Sequence, residues 1–469
     1  MRPSAFRRSL LRMASVAAVI GVVSLPTPPA FAISPPVIDP GALPVAQALS
    51  GRPAPLEPTE QRDLCAEPEF TGAPPNEPPI SQRVLELPAA WQFSRGAGQK
   101  VAVIDTGVNR HPRLPALQPG GDYVSDTDGT VDCDGHGTLV AGIIAAQPSP
   151  GDAFTGVAPD AEILTIRQLS LAYEKKDRGG DRSPDSIRAD GYGSVLTLAA
   201  AVVRAVDLGA TVINISEVAC SPAGSDPSDS SLGAAVKYAY DHNVVVVVAA
   251  GNVESDGPCK TQNEGQGWGA VNTIASPAWF SKYVLAVGSV DADGKPSELS
   301  LHGPWVSVAA IGRNIVSLDS KPGGVGLVNG VQTSEGIRPV DGTSFASPYV
   351  AGLAALVRSR FPDLDAQGVM DRITRTAQAP GTGRDDAIGA GLIDPLAALT
   401  AQLPDRPVHV GAAVDRPIAA PVIPPGPDPR PRRIAVIGSL VCLSALGVGI
   451  AVAIPFRRRR KEIEAEYDP

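Results

Sequence analysis

The chain has 469 residues, and its 48 glycines and 47 prolines make up about a fifth of it, well above the roughly 12% of an average protein. With 43% apolar and 19% charged residues it can bury a large core, which excludes global disorder. The net charge of −9 is uneven: residues 1–32 and 429–469 each carry +4, leaving −17 between them, and an acidic body excludes a nucleic-acid partner, which would need a basic face.

Taken in order, residues 1–32 read as a signal peptide. Four arginines precede the apolar run Met13 to Leu25, and Ala30-Phe31-Ala32 is a small-x-small cleavage site, so export is expected with a mature start near Ile33. Residues 33–94 form a proline-rich extension. Its 13 prolines between Ile33 and Pro88 and its weak hydrophobic periodicity predict an extended segment lying on a surface. Residues 95–402 form the folded body. Here apolar runs at Val101–Ile104, Val212–Ile215, Val244–Val248 and Val284–Val287 predict strands buried on both faces. Helical spacing covers Thr138–Ala146, Ser194–Leu208, Leu232–Asp241 and Thr343–Arg360. Strands alternating with helices predict an α/β fold, a parallel sheet flanked by helices with right-handed crossovers. Polar, glycine-rich loops are expected at 172–193 and 253–272.

Residues 403–433 are a second proline-rich linker, a stiff spacer with nine prolines between 404 and 431. Residues 434–456 hold 23 residues without a charge, enough for one transmembrane helix. The basic run Arg457 to Lys461 opens a tail, 457–469, that the positive-inside rule places in the cytoplasm, with the acidic body outside. Cys442 lies in the span. Cys65, Cys133, Cys220 and Cys259 remain for an oxidising compartment, with three pairings open. There is no C-x-x-C spacing and no calcium-loop cluster, so no metal or cofactor is expected.

Three glycine-flanked segments place a reactive residue at a strand end or helix start. They are Val103-Ile104-Asp105-Thr106-Gly107, Asp134-Gly135-His136-Gly137-Thr138 and Asp341-Gly342-Thr343-Ser344-Phe345-Ala346-Ser347-Pro348. A serine hydroxyl is a poor nucleophile near neutral pH; it needs a base, and the base needs an acid to fix its tautomer. Asp105, His136 and Ser344 supply that set, the flanking Gly135 and Gly137 being read as keeping the backbone open to substrate. A fourth segment, Val248-Ala249-Ala250-Gly251-Asn252, places an amide at a strand end, where Asn252 and the Ser344 backbone amide can donate to an oxyanion. Each segment alone is a common turn or cap. All four in this order are hard to reconcile with turns alone.

These segments resemble those of the subtilisin-like serine proteases. The wider layout adds Leu87-Pro88-Ala89-Ala90-Trp91-Gln92-Phe93, the extension with Cys65, and Cys133 three residues before His136. It resembles the mycosins, membrane-anchored subtilases of type VII secretion systems. The resemblance implies a serine endopeptidase with Asp105, His136 and Ser344 as triad, Asn252 as oxyanion donor, and disulfides Cys65–Cys133 and Cys220–Cys259. It also implies Ser216, Glu217, Val218, Ala249, Ala250 and Gly251 as substrate-binding residues, a secreted protein as substrate, and the type VII membrane complex as partner. Two departures stand out. Val218 replaces a glycine in the stretch that pairs with substrate, so a narrow cleft favouring small residues is expected, and Asp341 replaces the usual serine. An alternative reading makes the chain chiefly a structural part of the secretion complex, with proteolysis secondary.

Overall fold

The computed structural model describes residues 33–176, 191–254, 258–333, 336–381, 383–403 and 437–448. The predicted signal peptide, the linker beyond residue 403, the cytoplasmic tail and residues 434–436 and 449–456 of the predicted span lie outside these. The chain divides into two units, residues 1–403 and 404–469. In the second, residues 437–448 are helical; among the described residues no helix is long and apolar enough to cross a membrane.

The first unit is built on one seven-stranded sheet. In chain order its strands are β1 (Lys100–Asp105), β2 (Leu117–Asp122), β3 (Glu162–Arg167), β4 (Val212–Ile215), β5 (Val245–Ala249), β6 (Val284–Val290) and β7 (Val306–Ile311). They lie in the order β7-β6-β5-β4-β1-β3-β2, every pair parallel. The α/β expectation is met, and the reason is visible residue by residue. Val101 and Val103 of β1, with Val245 and Val247 of β5, enter one buried cluster, while Ala102, Ile104, Val246 and Val248 enter the other. Continuous apolar runs are needed because both faces of the sheet are covered.

Helices α2 (His136–Ala145) and α5 (Thr343–Arg360) fill the first face; α3 (Val195–Asp207) and α4 (Ser230–Asp241) fill the second. The boundaries follow local chemistry. Ser194 accepts the Thr197 amide proton at 3.1 Å in a capping box that opens α3. β2, β3 and β7 escaped the sequence reading: β2 reads Leu-Gln-Pro-Gly-Gly-Asp, and its proline and glycines fit an edge strand, where β2 lies.

The extension departs in part from the prediction of an extended segment lying on a surface. Leu43–Ser50 forms a helix, α1, that packs on α3 and α4 with Ala46 fully buried. Leu43, Ala46 and Leu49 recur every three residues, a helical face too short to stand out among prolines. Further along, the extension does run extended. Thr59–Gln61 pairs antiparallel with Tyr173–Lys175, and Pro68–Glu69 adds to the ribbon at Gly330–Thr333. Between these pairings Cys65 is bridged to Cys133, with Cα atoms 4.5 Å apart, and Cys220 is bridged to Cys259 at 5.3 Å. Both pairings implied by the resemblance are formed.

The Cys65–Cys133 bridge spans 68 residues, and closing a loop of that size in the unfolded chain is worth about 4 kcal/mol. Replacing both cysteines by serine is therefore expected to lower the urea midpoint of the purified chain by the equivalent of several kcal/mol. An unchanged midpoint would show that strand pairing alone carries the extension.

Candidate active site

β1 lies between β3 and β4, where the strand order reverses, and Asp105 is its last residue. The carboxyl ends of parallel strands at such a switch point open a crevice. Asp105 is fully buried, and its Oδ1 accepts the Thr106 amide at 2.7 Å and lies 2.7 Å from His136 Nδ1. With Nδ1–H held by a carboxylate, Nε2 of the neutral ring is the basic nitrogen. The backbone at Gly137 makes this approach possible. A Cβ there would run into the Gly107 carbonyl oxygen and stand 3.1 Å from the Asp105 side chain. Gly137 therefore serves the close packing of α2 on β1, a correction to the expectation that it keeps the site open to substrate. Gly135, with φ 77°, takes the left-handed turn that starts α2.

Ser344 is the second residue of α5 and is nearly buried. The ring of its neighbour Phe345 lies 4.8 Å from the His136 ring, which seats the imidazole against the start of α5. Asn252 Oδ1 accepts from the Thr343 amide at 2.9 Å and from the Thr343 hydroxyl at 3.0 Å, which leaves Nδ2 as its outward donor. Ser344 Oγ and Asn252 Nδ2 lie 2.8 and 3.4 Å from the point a Cβ on Gly342 would occupy. A hydroxyl, an amide donor and an imidazole held by a buried carboxylate thus converge at one helix N-terminus, where developing negative charge is favoured.

The other expected residues divide. Ser216 turns inward: its Oγ donates to the Ser344 carbonyl at 2.8 Å and lies 3.1 Å from Ser347 Oγ. Ala249 and Ala250 are buried, and Ala250 donates its amide to Val287. Val218 is half-buried beside Gly251, its methyl 3.5 Å from where a Cβ on that glycine would stand. Glu217 is buried with Oε1 3.8 Å from His136 Nδ1. A cleft of about 370 Å³ runs past His136, Glu217 and Phe345, and Leu64 and Pro68 of the extension line it too. Asp341 accepts the Asn314 amide at 2.6 Å and lies 3.5 Å from the Arg313 guanidinium, so it braces the turn before Ser344.

The subtilase family matches residues 96–391. Mycosin-3 of Mycobacterium tuberculosis is 44% identical over 466 residues, which span 96% of this chain and 99% of that protein. The chain belongs to the mycosins. The crystal structure of MycP1 from Mycobacterium smegmatis is similar at 45% identity and TM-score 0.73, covering 80% of this chain and 97% of that one. A chain in the structure of an intact ESX-5 inner membrane complex is similar at 42% identity and TM-score 0.73, covering 90% of this chain and all of that one. Membership of this subtilase group makes the chain a serine endopeptidase.

In this mycosin one organising residue escaped the sequence reading. Asp132 is buried, and it accepts from the Thr106 hydroxyl at 2.8 Å, the Gly135 amide at 2.8 Å, the Thr138 amide at 2.8 Å and the Thr138 hydroxyl at 2.6 Å. It ties the residue after Asp105 to the helix that carries His136. The only signal in the sequence was an aspartate in a glycine-rich stretch, which is ordinary for a loop. Burial pushes its carboxyl up to about 6 from 3.8, against the pull of the Thr138 and Thr106 donors. A raised carboxyl favours the folded state when protonated: the contribution is complete below about pH 4 and is lost as pH rises through about 6. Asp132→Asn turns an NH2 toward donors and is expected to cost about 3 kcal/mol in chemical denaturation, with the deficit largest near pH 4 and smaller above pH 6. A deficit that grows with pH would contradict this assignment.

Proposed function

We propose that the chain is a membrane-anchored endopeptidase working through an acyl-enzyme, with Asp105, His136 and Ser344 as its triad. His136 Nε2 takes the Ser344 proton as Oγ attacks the scissile carbonyl, and later returns it to the leaving amine. Asp105 holds the tautomer and balances the imidazolium. Asn252 Nδ2 and the Ser344 amide receive the oxyanion. The observation that carries this reading is the 2.7 Å contact of His136 with Asp105, set against the helix start that holds Ser344.

The substrate is a protein segment secreted through type VII machinery, and the partner is the type VII membrane complex; the likeness to a chain of the ESX-5 inner membrane complex supports the partner. Anchoring is assigned to residues 434–456, within which residues 437–448 are helical. The extension at 33–94 stays attached through Cys65–Cys133 and shapes one side of the cleft. Val218 restricts the cleft to small residues before the scissile bond. Cleavage of a peptide library should show that preference, and equal cleavage after bulky aromatics would remove it.

The same likeness to a chain within an assembled membrane complex favours a second reading, in which the chain is chiefly a structural component. Ser344→Ala separates the two. The enzyme reading expects wild type to react with a fluorophosphonate, Ser344→Ala to lose both labelling and secretion in a null strain, and Asn252→Ala to label about two to three orders of magnitude more slowly, the loss known for the matching amide in subtilisin. Restored secretion with lost labelling supports the structural reading, and a wild-type chain that does not label contradicts the enzyme.

A further inference from the structure

The imidazole of His136 faces two carboxylates. Asp105 contacts Nδ1 directly, and Glu217 Oε1 lies 3.8 Å from the same nitrogen. Glu217 is only 4% exposed, and a buried carboxylate is costly unless a charge or a set of donors compensates it. It is also held in place. The preceding Ser216 is anchored through Oγ to the carbonyl of Ser344 at 2.8 Å and receives a bond from Asn214 Nδ2 at 2.8 Å, so the backbone carrying Glu217 is fixed to the start of α5.

The other carboxylates described around the cleft have partners of their own. Asp132 is engaged with Thr106, Gly135 and Thr138; Asp134 accepts from the Ser170 hydroxyl and the Leu171 amide; Asp63, across the cleft, is paired with Arg62. From α5 the ring meets Phe345, which is neutral. Among the described residues lining the cleft there is no lysine or arginine. Among the described residues, the carboxylate nearest to His136 after Asp105 is Glu217.

We infer that Glu217 is a second positioning residue for His136, stabilising the imidazolium alongside Asp105 and setting the pH at which the enzyme becomes active. This deepens the triad reading and rests on it. In turnover the proton moves from Ser344 Oγ to His136 Nε2, the ring becomes positive, and the new charge lies beside Asp105 and Glu217. A carboxylate 3.8 Å from Nδ1 shifts the ring toward its charged form. Because the neutral imidazole is the base, that shift places the acid limb of activity at higher pH and makes the base stronger above it.

The test is the pH dependence of the labelling rate of the full-length chain with a small neutral fluorophosphonate, which needs no knowledge of the natural substrate. Glu217→Gln should move the acid limb down by about one pH unit and lower the plateau about threefold. Glu217→Asp keeps the charge one methylene further away and should fall between wild type and Glu217→Gln. If Glu217→Gln does not fold, the His136 ring is titrated by NMR in Glu217→Asp, where a lowered pKa supports the inference and an unchanged one overturns it. A plateau that falls with no shift of the limb shows a packing role only and overturns the inference. So does a profile identical to wild type, the outcome expected if Glu217 serves only to receive a cationic substrate side chain. Failure of wild type to label defeats the triad reading instead, so the two failures are distinguishable.

Discussion

The rest of the site depends on one close approach, that of α2 onto the end of β1. Asp105 is fully buried at the last position of its strand, and only a helix whose second residue lacks a side chain can bring His136 Nδ1 to 2.7 Å from it. Asp132 then locks the approach by bonding on one side to Thr106 and on the other to Gly135 and Thr138. A buried carboxylate with four donors is a rigid fastening, because losing any of them leaves a polar group without compensation in a low-dielectric interior. The imidazole is thus oriented before a substrate arrives, which is the condition for electrostatic and general-base catalysis to lower a barrier.

The second half of the site is organised from α5. Its first residue, Thr343, bonds Asn252 through both backbone and side chain, and Ser216 bonds the Ser344 carbonyl, so strand ends β4 and β5 are both fastened to the helix start. Ser344, Asn252 and Glu217 therefore keep their spacing through contacts with one rigid element. The extension adds to this frame from outside. Its helix α1 covers α3 and α4, and its bridged stretch reaches the loop ahead of His136, where Ala66 donates its amide to the Cys133 carbonyl at 2.8 Å. A segment built this way reads as part of the folded enzyme.

Much of this was legible in the sequence. Val101–Ile104 and Val212–Ile215 announce strands buried on both faces, and the glycine-flanked segments announce strand ends and helix starts that the fold brings to one place, because those signals depend on local composition. What escaped depends on tertiary partners. Asp132 looks like any loop aspartate until Thr106 and Thr138 are seen around it, and Gly137 looks like an opening for substrate until the Gly107 carbonyl is seen against it. The anchoring of the Ser216 hydroxyl on Ser344 and Ser347 likewise shows only in the fold. Helix α1 was hidden because prolines dilute its short apolar face.

The most direct measurement is a crystal structure of the chain after reaction with a fluorophosphonate. The account predicts phosphorus bonded to Ser344 Oγ, with a phosphoryl oxygen within hydrogen-bond distance of Asn252 Nδ2 and the Ser344 amide and with His136 still on Asp105. An adduct on another residue, or a phosphoryl oxygen turned away from Asn252, would contradict it.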